Sequence, residues 1–69
     1  MDEVYRGYRV TVKRSEGLWI ARITHVRGNQ VRLHATSTEV EGPEACLGRA
    51  KRRIDDLVNY LNARDGNIV

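Results

Sequence analysis

The fold class expected from this sequence is α+β: a three-stranded antiparallel sheet with one C-terminal helix packed on one face. Three observations support it. Three early runs alternate apolar and polar residues with period two, and glycine-bearing turn signals separate them. A single later run repeats apolar residues at three- and four-residue steps. With 69 residues, 41% hydrophobic and 30% charged, the chain is long enough for one small domain and too apolar for a disordered segment.

The first strand is expected over about 8–14, where Tyr8, Val10 and Val12 alternate with Arg9, Thr11 and Lys13. Ser15-Glu16-Gly17 follows as a turn. The second strand, about 18–26, sets Trp19, Ala21 and Ile23 against Ile20, Arg22 and Thr24. After a turn at Arg27-Gly28-Asn29, the third runs over about 30–36, with Val31, Leu33 and Ala35 against Arg32, His34 and Thr36.

Register follows from matching apolar faces, since a slip of one residue turns a whole strand over. A two-residue turn at Glu16-Gly17 pairs Val12 with Ala21 and Val10 with Ile23. A three-residue loop at Arg27-Gly28-Asn29 pairs Ile23 with Leu33, Ala21 with Ala35 and Arg32 with Thr24. The competing tight turn at Gly28-Asn29 is the stronger dipeptide signal, but it would set Leu33 beside Thr24 and His34 beside Ile23.

The helix is expected over about 43–64. Pro43 suits a first helical turn, entered from Gly42 or from Thr38 and Glu41, and Asp65-Gly66 is a stop signal. Leu47, Ala50, Ile54, Leu57, Val58 and Leu61 form its apolar stripe, and Cys46 flanks it as a small core residue. Lys51–Asp55 and Arg52–Asp56 have the spacing of helical ion pairs, so the basic run Arg49 to Arg53 reads as a solvated face.

Charge is sorted along the chain. Residues 4–38 hold seven Lys or Arg and one acid, Glu16, for a net +6, while the remainder nets −3. The basic half is the strand half, so the sheet face away from the helix displays Arg9, Thr11, Lys13, Arg22, Thr24, Arg32 and His34 with no acid among them. Solvated sheet faces usually interleave both signs. A face of cations and hydroxyls suits a phosphate backbone, and Arg can read guanine in the major groove. Trp19 and Tyr8 fall on the core side, leaving few aromatics for stacking single strands, so a DNA or RNA duplex is the expected partner. A protein partner, or a face that is only solvated, are the alternatives.

Nothing in the residues points to an enzyme, a metal or a cofactor. His25 and His34 fall on opposite faces, Asp55 and Asp56 diverge by about 100° on the helix, and no glycine-rich phosphate motif occurs. The single cysteine forms no internal disulfide, and the acidic start MDEVYRG carries no apolar leader, so a cytoplasmic setting is expected. No run is apolar enough for a membrane, and a chain this small is expected as monomer or homodimer.

Two resemblances add to this reading. Pro43 to Leu61 resembles the helix of HicB-like domains, with Glu44, Leu47, Ala50, Lys51, Ile54 and Leu61 at the family's positions, and Gly17 to Ile23 (GLWIARI) is similar to its second strand. That resemblance implies β-β-β-α order and an antitoxin-type, partner-binding module. Tyr5-Arg6-Gly7, the Trp19, Ala21 and Ile23 pattern, Arg32-Leu33 and Glu44-Ala45 resemble three-stranded-sheet DNA binders of the ethylene-response-factor type, and the arm-binding domains of tyrosine recombinases are similar in plan. This second resemblance implies base contacts by Arg9, Arg22 and Arg32. His34-Ala35-Thr36 stands where the ethylene-response-factor type has tryptophan-leucine-glycine.

Overall fold

In a computed structural model that describes residues 1–28 and 30–66, four strands precede the helix: β1 (Asp2–Tyr5), β2 (Tyr8–Ser15), β3 (Leu18–His25), β4 (Gln30–Thr38) and α1 (Pro43–Gly66). They form one antiparallel sheet in the order β1-β2-β3-β4. The expected three strands are all present and β1 is an addition, which corrects the strand count. It escapes a propensity reading because Asp2 and Glu3 are poor strand formers. Its signal was the Arg6-Gly7 step, where both residues take positive φ (52° and 85°), the pattern of a type I′ hairpin turn. Glu16-Gly17 repeats that geometry at the next turn (49° and 80°), with the expected pairs Val12–Ala21 and Val10–Ile23 in place.

The second expected hairpin register holds only away from the turn. Ala21 faces Ala35 and Arg22 faces His34, but Thr24 faces Gln30 rather than Arg32. Between those pairs β3 contributes one residue, Ile23, and β4 three, so the expected Ile23–Leu33 pair gives way to an irregular stretch. The cause lies in the turn. Gly28 N–H donates to the His25 carbonyl at 2.9 Å, and Gly28 itself sits at φ 90°. Glycine takes that left-handed position at no steric cost, so the turn closes one residue earlier than expected. The apolar face of β4 needs the other register, and the bulge reconciles the two. Asn29, part of the expected turn, lies outside the described residues.

β4 continues past the expected 36 to Thr38 because Trp19 and Leu18 still offer partners in Ser37 and Thr38. Thr38 and Glu41 then bond reciprocally: Thr38 N–H donates to the Glu41 carboxylate (2.9 Å) and Glu41 N–H to Thr38 Oγ1 (3.2 Å). The buried Ser37 hydroxyl donates to the Gly42 carbonyl at 2.7 Å. These bonds turn the chain into α1, which runs to Gly66, two residues past the expected 64 and within the expected Asp65-Gly66 stop.

The helix lies across β2, β3 and, most closely, β4. Val10, Val12, Ala21 and Ile23 of the sheet meet Cys46, Ala50 and Ile54 of the helix, all at 2% exposure or less. Cys46 is thus central to the buried line rather than beside it. Its thiol donates to the Ala35 carbonyl at 3.5 Å, and burial pushes its pKa up. At 1.5 Å per residue α1 is about 36 Å long, against about 27 Å for eight-residue strands. Its last turns therefore overhang the sheet, leaving Tyr60 62% and Leu61 40% exposed.

The expected Lys51–Asp55 pair is replaced by tertiary contacts. Lys51 pairs with Glu3 and lies over the Tyr5 ring, while Asp55 accepts from Tyr5 Oη (2.9 Å) and Arg6 Nη1 (2.7 Å). These contacts bind β1 to the helix. Among the described residues, no helix is long and apolar enough to cross a membrane.

Candidate nucleic-acid interface

Every second residue of each strand points away from α1, and the register arranges them in rows. Asp2, Thr11, Arg22 and His34 stand side by side across all four strands. Lys13, Ile20 and Thr36 make the next row, with Val4, Arg9 and Thr24 on the other side. Arg32, within the irregular stretch of β4, is exposed beside them. The seven expected residues thus share one face. Arg9, Lys13, Arg22, Arg32 and His34 are exposed, and Thr11 and Thr24 are half-buried between them.

Sequence reasoning missed one feature of this face. β1 brings Asp2 opposite Thr11, so an acid does stand at its margin, with Val4 beside Arg9. The signal for both was the unread Arg6-Gly7 turn. His25 is on the other face as expected, stacked edge-on against Tyr8 with ring centroids 5.2 Å apart.

Four strong cations stand on this face. Among the described residues, Arg9, Lys13, Arg22 and Arg32 make no ion pair; the pairs present are Arg6–Asp55, Arg14–Glu39, Arg49–Glu41 and Lys51–Glu3. Glu3, Glu41 and Asp55 are held on the helix side, and Glu39 is taken up by Arg14 at the rim of the basic face. Glu41 is drawn down to about 2 by the Arg49 guanidinium and the Thr38 N–H, and Arg49 is raised in return. Hydrogen bonds from Arg6 and Tyr5 lower Asp55, and the same bond to Asp55 raises the Tyr5 phenol. Carboxylates engaged so firmly are not free to neutralise the opposite face.

A hollow of about 290 Å³ opens on the basic face, lined by Thr11, Lys13, Arg14, Ser15, Ile20 and Arg22. An ammonium, two guanidiniums and two hydroxyls around one apolar side chain can donate to several oxygens of an anion at once. Strands lie about 4.8 Å apart, so the cations of β2 to β4 fit within about 10 Å, narrower than the roughly 12 Å major groove. No three His, Cys, Asp or Glu side chains among the described residues group to hold a metal.

Comparison with protein-family models, with curated proteins and with solved structures finds no match for this chain.

Proposed function

We propose that this protein is a non-catalytic binding module that contacts duplex nucleic acid through the open face of its sheet. The observation that carries the reading is the set of four cations, Arg9, Lys13, Arg22 and Arg32, that make no ion pair among the described residues and share one face whose threonines supply neutral donors. Like charges on adjacent strands repel, and a phosphate backbone relieves that repulsion while releasing its own counterions. In this reading Arg22, central in its row between Thr11 and His34, is the main anchor. Arg9, Lys13 and Arg32 position the duplex, and Thr11, Thr24 and His34 donate to phosphate oxygens.

Amide chemical-shift titration with a short DNA duplex and a short RNA duplex, at low and near-physiological salt, tests it. Shifts should cluster on Arg9, Thr11, Arg22, Thr24, Arg32 and His34 with one of the two duplexes and persist at the higher salt. Four phosphate contacts correspond to a log–log salt slope of about −3.6. Arg22→Glu should abolish binding while leaving stability within about 0.5 kcal/mol, as for an exposed position. Scattered shifts that vanish with salt, or full binding by Arg22→Glu, would sink the proposal.

A further inference from the structure

The two edges of the sheet differ. β1 is four residues long and is held to α1 through Glu3–Lys51 and through Asp55 with Tyr5 and Arg6. β4 is nine residues long, contains no proline, and among the described residues its outer edge pairs with no strand; a side chain, Arg49, donates there to the Thr36 carbonyl at 2.9 Å, a bond that strand pairing would displace. A long open edge is a template for another strand unless something covers it.

Beside that edge, on the helix side, two hollows adjoin. One of about 410 Å³ sets Ala35 and Thr36 next to Arg49, Arg52, Arg53 and Asp56. The other, about 260 Å³, sets Leu33 next to the same Arg53 and Asp56, with Tyr60 at its far end. The middle of β4 is therefore level with the Arg53–Asp56 turn of α1. A two-fold axis there passes near His34 on the strand and between Arg53 and Asp56 on the helix.

From this we infer that β4 is the pairing edge for a second copy of this chain. The two β4 strands join antiparallel into an eight-stranded sheet, and the two helices lie side by side. The argument is self-complementarity about that one axis, which an isologous interface requires. In the strand, Leu33 meets Ala35 of the second copy, large against small, and Arg32 meets Thr36 of the second copy rather than another cation. In the helix, Arg53 meets Asp56 of the second copy, opposite in charge, and Asp56 meets Arg53 in turn. Tyr60, exposed where α1 overhangs its own sheet, comes to lie along the second copy's helix near Arg49. Strand pairs and helix pairs share the one axis, with the irregular stretch of β4 at 31–33 drawn straight on pairing. The pairing involves no nucleic acid and stands whether or not the open face binds one.

Sedimentation equilibrium of the full chain without nucleic acid tests the proposal, at protein concentrations up to about 1 mM, where even a millimolar dimer is substantially formed. The expected mass is twice the 7.9 kDa of the chain. Asp56→Arg sets cation against cation at the axis and should weaken association at least tenfold, and Arg53→Asp combined with Asp56→Arg should restore it. Both positions are exposed on α1, and far-UV circular dichroism checks that each variant is folded. A wild-type mass of one chain, a dimer indifferent to Asp56→Arg, or a double variant that stays dissociated would each overturn the inference.

Discussion

On the helix side of the sheet, Glu3, Glu41 and Asp55 meet Lys51, Arg49 and Arg6; on the open side, Arg9, Lys13, Arg22 and Arg32 meet no carboxylate among the described residues. The same residue types do different work on the two faces. Helix-side charges join elements far apart in sequence, with Tyr5 and Asp55 separated by 50 residues, and they close β1 and the β4–α1 turn around an apolar core. Among the described residues Arg9, Lys13, Arg22 and Arg32 join nothing, and only Arg14 at the rim is paired, with Glu39. The difference teaches that the charged contacts holding the fold lie on the helix side, so the open face, where the proposed ligand contact falls, can be altered with little effect on stability.

The largest expected break falls on the helix side. Ile54, fully buried against Ile23 and Val10, should lose about 2–5 kcal/mol as Ile54→Ala. That is a large part of what a 69-residue domain has, and urea unfolding should show a lowered midpoint or no cooperative transition. An intact transition with an unchanged midpoint would show that the helix is not the lid of this core.

A smaller effect sharpens the other side of the comparison. Asp2, the acid brought to the open face by β1, should oppose a phosphate backbone, so Asp2→Lys should tighten duplex binding several-fold and steepen the salt slope by about one. Isothermal titration at two salt concentrations measures both. Weakened or unchanged affinity would mean that the ligand does not reach the β1 margin.

The smallest effect concerns pH. Glu41 falls from the ordinary 4.5 to about 2 in the folded protein. Its contribution to stability is therefore full above about 4.5 and is lost as pH falls toward 2. Glu41→Gln removes this proton-linked share, so its stability should decline less between those pH values than that of the wild type. Asp55, also lowered, adds to the wild-type decline in the same direction. Parallel acid-unfolding curves for the two proteins would remove Glu41 from the account.

Much of the fold, and the common face of the candidate residues, are legible from local pattern. Alternation assigns Arg9, Arg22 and His34 to one face and Val10, Ala21 and Ile23 to the other, and the Glu16-Gly17 turn sets the β2–β3 register. The three-and-four spacing of Ala50, Ile54 and Leu57 likewise specifies the helix and the side it buries. Each of these depends on side-chain periodicity within one element, or on one short turn, and such properties reside in a window of a few residues.

What only the tertiary structure decides involves distant partners. The acidic segment Asp2–Tyr5 pairs as a strand where β2 offers an edge and Asp55 and Lys51 meet it from the helix, some fifty residues on. Asp55 bonds to Tyr5 and Arg6 rather than taking its helical neighbour Lys51, because the fold brings both to it and a helical i,i+4 pair stabilises by only about 0.2–0.5 kcal/mol. The bulge in β4 settles a conflict between the turn that Gly28 favours and the register that the core requires. Neither demand is visible in the other's stretch of chain, and their compromise exists only once both strands pack against α1.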